Sequence, residues 1–394
     1  LVYFKKERDV TQNHILTSHA GSLPRPKKLV DLYARRAAGE DVDEAAIAAE
    51  AEASTHWVVD KQYECGIDIP SDGEQVREAF FLYVQRRMSG FGESWERPAG
   101  SELQAYPEFA EARREAMAGK AAVSNFAPPK AIGPVKYTNP EANAAEITLF
   151  KQALARHEGH FADAFMTAPS PGIVAMAMKN AYYPSFDEYL AAVADALRVE
   201  YEAATKAGLM LQIDAPDLAL ERHITYADRP VGEFVDFVRK VVAQINRVLE
   251  NVAREHVRLH VCWGNYESPH DKDVPLKDIA GAILEADVGG FMMPFANPRH
   301  QHEIKVFRDH KLAPDQSLLV GVIDTTTNFV EHPEVIAERL ERAAEAIGDP
   351  TRIMAGTDCG FDTSAGMGRV TADVVWAKLR AMREGADLAA KRLL

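Results

Sequence analysis

Leu209-Met210-Leu211-Gln212-Ile213-Asp214 is a nearly continuous apolar run that closes on a carboxylate. A run this short and this apolar suits a strand buried on both faces, as in parallel sheets. The residues before it supply the other half of a repeating unit. Ser185 with Glu188 makes a capping box. Phe186, Tyr189, Leu190, Val193, Leu197 and Tyr201 then fall on one helical face, and Gly208 sits just past the end.

The same helix-then-strand unit repeats in both directions. Downstream, a helix with Phe234, Phe237, Val238, Val241, Ile245, Val248 and Leu249 on one stripe leads to a strand ending at His260 and Cys262. Helix Leu276–Glu285 leads to strand Val288–Met293, and Leu318–Ile323 is another apolar strand. Helix Pro333–Ile347, stopped by Gly348, leads to Ile353–Thr357. Upstream, Gly172-Ile173-Val174-Ala175-Met176 is the expected third strand. Ile67–Pro70 and Ile15–His19 are the second and first, with helical sequence between them from about Lys27 to Glu64, broken near Gly39. The strands expected near 15–19, 67–71, 172–176, 209–214, 257–262, 288–293, 318–323 and 353–357 make an α/β chain of the (β/α)8 TIM-barrel class. A doubly wound open sheet is the rival, but no Gly-x-Gly-x-x-Gly follows a strand. The reading gives one barrel domain over 1–394, with an inserted lid or hairpin near 90–143 where Pro, Gly, Ala and charge dominate. Within it a hairpin is expected around Ala131–Tyr137; a solvated excursion is the alternative for the whole segment.

Composition narrows the function classes. A formal charge of −14, with Lys and Arg scattered, argues against a nucleic-acid partner. No apolar stretch is long enough to cross a membrane. The first residues turn charged too soon for a signal peptide, and three widely spaced cysteines fit a reducing, cytoplasmic setting.

Chemistry concentrates at the strand ends, which converge on one mouth in such a barrel. His260 and Cys262, two apart in an extended stretch, point the same way. Imidazole nitrogen with thiolate sulfur suits Zn2+. A third ligand is needed, and Cys359 in Gly356-Thr357-Asp358-Cys359-Gly360 stands at another strand end.

Thr17-Ser18-His19-Ala20-Gly21-Ser22-Leu23-Pro24-Arg25, Asp72-Gly73-Glu74, Gln212-Ile213-Asp214-Ala215-Pro216, His260-Val261-Cys262 and Thr357-Asp358-Cys359-Gly360 together resemble the cobalamin-independent methionine synthase family. The likeness is to single-barrel relatives of its C-terminal catalytic domain, within the superfamily that also holds uroporphyrinogen decarboxylase. It runs in order over most of the chain, with 90–143 least matched. The resemblance implies zinc-dependent transfer of a methyl or alkyl group to a small thiol such as homocysteine. His260, Cys262 and Cys359 match the family's zinc ligands, and also the residues acting in catalysis. Glu74 and Asp214 match carboxylates that hold a substrate amino group, and Ser22 matches a loop that meets the substrate carboxylate. Against these stand plainer roles: a helix cap for Asp214, a surface charge for Glu74. The family's Glu ligand belongs on Gly290–Phe295, where no carboxylate stands; His300, His302 and Glu303 follow closely. Thr326 stands where a His is expected, and Ala215 where a Glu is expected. The donor is left open among a methylfolate, a corrinoid protein and another methylated compound. Two other activities remain: thiol alkylation like that of epoxyalkane–coenzyme M transferases, whose sulfonate would want Arg25 or Arg299, and a uroporphyrinogen decarboxylase-type lyase.

Overall fold

A computed structural model describes residues 13–117, 122–124 and 127–394. The charged first residues, read above for a signal peptide, lie outside them, as do 118–121 and 125–126 of the expected insertion. The named strands are β1 (Met88–Ser94), β2 (Pro129–Tyr137), β3 (Phe165–Pro169), β4 (Met210–Asp214), β5 (Val257–His260), β6 (Gly290–Pro294), β7 (Ser317–Ile323) and β8 (Ile353–Thr357). β3 to β8 form one parallel sheet in sequence order.

Two extended segments join its outer strands. Ala355 N donates to Leu16 O (2.8 Å) and Ser18 N to Ala355 O (2.9 Å); Ile69 N donates to Thr17 O (3.1 Å), and Phe165 N to Pro70 O (3.0 Å). Backbone hydrogen bonds therefore run from β8 through 15–18 and 67–70 to β3, completing a TIM-barrel ring. Helices cover it between strands: Glu44–Glu64, Phe186–Lys206, Val231–Val248, Leu276–Ile283, Pro333–Ile347 and Ala372–Leu393 among them.

The strand period of two sorts the side chains. Leu211, Ile213, Leu259, Phe291, Leu318 and Val320 belong to the large core beneath the helices. Leu16, Ile69, Phe165, Met210, Met292, Leu319 and Met354 form a separate small cluster inside the barrel. Above that plug the inward positions turn polar. Arg258 lies with its guanidinium 3.9 Å from the Phe165 ring centroid and donates to Gln212 Oε1 (2.8 Å), Ser18 Oγ and the His19 carbonyl. Asp214 and His260, the next inward residues on β4 and β5, crown this layer.

Two expectations need correction. Residues 172–176 are not a strand but part of helix Pro171–Ala177. Ser170 caps it, its Oγ accepting from Ile173 N at 2.9 Å, and Pro171 occupies the first turn, where its missing N–H costs nothing. The third barrel strand is β3, just before it. Ala131–Tyr137 is not a hairpin either: it belongs to β2, which pairs antiparallel with β1. Gly133-Pro134 faces Gly90 at a register shift; with φ +92° and Pro134 O 2.6 Å from where a Cβ would stand, position 90 accepts only glycine without displacement. Helices Ser101–Ala105 and Pro107–Met117 lie between the two strands in sequence. Among the described residues no helix is long and apolar enough to cross a membrane.

Candidate metal centre and substrate pocket

β5 delivers His260 at its last residue, and the chain stays extended long enough for Cys262 to face the same mouth. Cys359 arrives just after β8. The two sulfurs are 3.9 Å apart, and the donor atoms of His260, Cys262 and Cys359 all lie within 4.8 Å of one another. Two thiolates on a tetrahedral zinc, with Zn–S near 2.3 Å, stand about 3.8 Å apart, so this spacing fits an ion and is far too long for a disulfide. His260 Nδ1 is held by Asp214 Oδ1 at 2.8 Å, whereas Nε2 is buried with no hydrogen-bond partner. The orphaned nitrogen is the one that could bind a metal, and the carboxylate on Nδ1 favours the tautomer that leaves it free. Gln212 Nε2 donates to Asp214 Oδ1 (2.8 Å) and to Ala20 O (2.7 Å), anchoring the carboxylate to the layer below.

The electrostatics describe a proton shared where a cation fits. Burial would lower the His260 pKa, but a Cys262 thiolate and Asp214 raise it to about 10. The Cys262 thiol is driven well down by a hydrogen bond from Cys359, against burial, and with help from His260. Cys359 is driven up, by that hydrogen bond first and then by burial. A divalent ion bound there would take the proton's place and let both sulfurs ionise.

Beside this trio, Glu74 is 1% exposed, so it is no surface charge. Its Oε1 accepts from Thr167 Oγ1 at 3.0 Å, and its Oε2 has no partner. Burial, then the Asp214 carboxylate, pushes the Glu74 carboxyl up to about 8. Ser22 Oγ is buried and equally without a partner. Asp214 does not cap the following helix, Asp217–Leu220, whose N-cap residue is Pro216 and which has no side-chain cap bond. Ser22, Glu74, Asp214, His260, Cys262 and Cys359 all line a single cavity of about 210 Å3. Its outer wall is built by Arg97–Leu103 and Arg113 of the segment between β1 and β2.

Of the nearby residues considered as a further ligand, His300 and Glu303 are committed elsewhere. His300 stacks on Trp263 with ring centroids 3.9 Å apart and pairs with Asp273 and Glu303, both at 2.8 Å. Glu303 also accepts from Leu276 N at 2.8 Å. Met292 of β6 sits in the barrel plug. Among the described residues, no other His, Cys, Asp or Glu joins the trio. Thr326 bonds Asp324 within its own turn. Arg25 is buried on Asp362 and the Glu74 carbonyl, and Arg299 is exposed.

The sequence reading missed Thr167, Gln212 as the support of Asp214, Arg258, and Asn265, whose Nδ2 donates to Gly360 O at 2.6 Å. Gln212 was legible in principle, standing two residues before Asp214 on one strand face. The partners of Arg258 and Asn265 are set only by tertiary approach.

Residues 140–388 match the family model described as "Cobalamin-independent synthase, Catalytic domain". A methionine synthase of Thermococcus kodakarensis is 27% identical over 351 residues, covering 88% of this chain and 86% of that protein. One from Sulfolobus acidocaldarius is 25% identical, covering 88% and 85%. The B12-independent methionine synthase from Shewanella sp. W3-18-1 shares the fold at a TM-score of 0.71 and 19% identity, covering 96% of this chain and 99% of that one. With the matched segment spanning well over half its length, the chain belongs to the cobalamin-independent synthase catalytic-domain family.

Proposed function

We propose that this protein methylates homocysteine to methionine at a zinc ion held by His260, Cys262 and Cys359. The observation that carries this is one small cavity in which three soft-to-borderline donors, one fewer than a tetrahedral ion takes, face two buried carboxyl groups. Zinc bound there would keep a substrate sulfur as thiolate near neutral pH, where a free thiol is mostly protonated. The chain's own residues do the rest. Glu74, with an unpartnered oxygen, receives the ammonium of an amino-acid thiol, and Asp214 adds negative charge beside it. Ser22 Oγ, also unpartnered, offers a hydroxyl to the substrate carboxylate. Asp214 holds His260 in the tautomer that leaves Nε2 free. In the transfer, a methyl–donor bond breaks as a methyl–sulfur bond forms; the thiol proton leaves on binding, and the donor's released atom takes up a proton. A methylfolate-type compound is the favoured donor, since the family is described as cobalamin-independent and gives no support to a corrinoid protein.

The alternatives fit less well. A sulfonate thiol would need an unpaired cation beside the trio, yet Arg25 is spent on Asp362, Arg299 does not line the cavity, and of the arginines that do, Arg97 pairs with Glu221, Arg369 pairs with Glu267 and Arg113 lies over the Tyr266 ring at the outer wall. A polycarboxylated tetrapyrrole would meet Asp214 as a like charge and Glu74 as a second acidic group rather than a cation. The test is an assay of zinc-loaded protein with isotope-labelled methyl donors against a panel of thiols. Labelled methionine from homocysteine is expected; transfer only to a sulfonate thiol, or to none, overturns the reading.

A further inference from the structure

A second group of donors lies at the rim of the same mouth, distinct from the trio. Helix Ser101–Ala105 brings Glu102, and the loop after Cys262 brings His270 and Asp273. One ligand atom from each lies within 4.8 Å of the others. Glu102 is 1% exposed and Asp273 6%, which is deep burial for carboxylates.

Hydrogen bonding leaves this group short of positive charge. His270 Nε2 faces the Tyr266 carbonyl at 2.8 Å and its Nδ1 faces Asp273 Oδ2 at 2.9 Å. Both nitrogens thus point at acceptors. A neutral imidazole has only one N–H, so either the ring is doubly protonated or a cation sits between Nδ1 and the carboxylate. His300 is placed likewise, between Asp273 Oδ2 and Glu303 Oε2. His223 also faces this group, its Nδ1 3.2 Å from Asp273 Oδ1, but burial lowers its pKa and favours the neutral ring. If the His270 and His300 rings carry two protons each, they offset Asp273 and Glu303 and leave Glu102. Its Oε2 is buried with no hydrogen-bond partner. The neighbouring Arg97 is engaged by Glu221, and Arg113 lies over the Tyr266 ring, 5.3 Å from its centroid. A divalent ion replacing the proton on His270 supplies the missing charge and a partner for the orphaned oxygen. The 2.9 Å separation of His270 Nδ1 and Asp273 Oδ2 is also that of two cis ligands on one ion, about 3 Å for bonds of 2.0–2.2 Å.

We propose that Glu102, His270 and Asp273 form a second divalent-cation site, of mixed nitrogen and oxygen donors suited to a first-row ion such as Zn2+, Mn2+ or Fe2+. It fastens helix Ser101–Ala105, which walls the substrate cavity, to the loop that follows β5.

The test counts zinc on the whole protein by chelator-competition titration, with cobalt as a spectroscopic substitute. The wild type should take two equivalents, and Glu102→Gln and His270→Gln one each. A Cys262→Ser/Cys359→Ser double variant should keep one equivalent. Its cobalt form should lack the sulfur-to-metal charge-transfer band that reports the trio, so failure here and failure of the proposed catalytic site are told apart. Circular dichroism melts establish that each variant counted is folded. Saturation of the wild type at one equivalent, two equivalents retained by a folded Glu102→Gln protein, or none in the folded double-cysteine variant overturns the second site; protons and Arg113 then balance the rim.

Discussion

Replacing Asp214 should weaken metal binding although Asp214 is not in the donor trio, and the size of the effect follows from its contacts. Asp214 Oδ1 accepts from His260 Nδ1 and from Gln212 Nε2, both at 2.8 Å. In Asp214→Asn the amide oxygen can still accept both bonds, because the Gln212 amide is itself fixed by Ala20 O and Arg258. The imidazole tautomer survives and only the negative charge behind it is lost. Removing an outer partner of a ligating histidine typically costs about 10- to 100-fold in affinity, so the isosteric change belongs near tenfold, about 1.4 kcal/mol. Asp214→Ala removes the hydrogen bond as well and frees the ring to turn, which places it near 100-fold, about 2.7 kcal/mol. Glu74→Gln supplies the contrast: Glu74 bonds Thr167, not His260, and should leave metal affinity unchanged while weakening the amino-acid thiol by about 1–3 kcal/mol. The measurement is zinc competition against a chromophoric chelator, on the Cys262-dependent site, for all three variants. Equal affinities in wild type and Asp214→Ala would refute the positioning role. So would a loss in Glu74→Gln as large as that in Asp214→Asn.

Further outcomes follow from the same geometry. Cys359→Ser should strip the trio's metal and leave the barrel folded, read by metal analysis beside a thermal melt; full occupancy in that variant would remove Cys359 from the site. X-ray absorption on the zinc form should count two protein sulfurs, from Cys262 and Cys359, rising to three on adding homocysteine; a count fixed at two would place the thiol elsewhere. Because the Glu74 carboxyl is raised to about 8, folding favours its neutral form, so its contribution is full below the ordinary carboxylate range and is lost as pH rises through about 8. Glu74→Gln should therefore flatten the fall in melting temperature between about pH 5 and about pH 9, and an unchanged slope would contradict the burial argument. Gly172→Ala puts a Cβ 2.0 Å from Asp217 Oδ2 and 2.9 Å from Val241 Cγ1, and should cost about 1–3 kcal/mol in denaturant unfolding.

The sequence was most legible where burial is least ambiguous. β4 to β8 are apolar runs bounded by polar or glycine-containing turns, and each lies within two residues of its expected place. β3 was missed because Phe165-Met166-Thr167-Ala168-Pro169 is short and broken by a threonine, while Ile173-Val174-Ala175-Met176 is equally apolar. The Ser170-Pro171 pair was the available signal, since a capping serine followed by proline starts a helix. Gly133-Pro134 has the composition of a turn, and only its partner strand reveals a register shift instead. In the site, all six residues singled out from sequence line one cavity; the shared face of His260 and Cys262 is readable from their spacing, whereas Ser22, Glu74 and Asp214 were singled out by the family resemblance. The wall from Arg97 to Leu103 and the rim cluster around Asp273 were not readable. Their chemistry depends on a segment of low periodicity meeting a loop more than 150 residues away, as Tyr106 and Asp271 do at a sequence separation of 165.

The seam of the barrel has a consequence for how the protein comes into being. Ser18 and Thr17 pair with Ala355, so the ring closes through contacts between residues more than 330 positions apart. During synthesis the segment at 15–18 must wait, one edge unpaired, until β8, more than 330 residues later, has emerged. Helix Ala372–Leu393, whose Arg383 grips Asp68 at 2.6 Å and the Ile15 carbonyl at 3.0 Å, comes later still and clasps that seam from outside. Cys359 lies on the same late stretch, so a nascent chain can present His260 and Cys262 but not the completed trio. A metal held by all three donors would therefore load only after ring closure, and a ribosome stalled before β8 would display an open parallel edge.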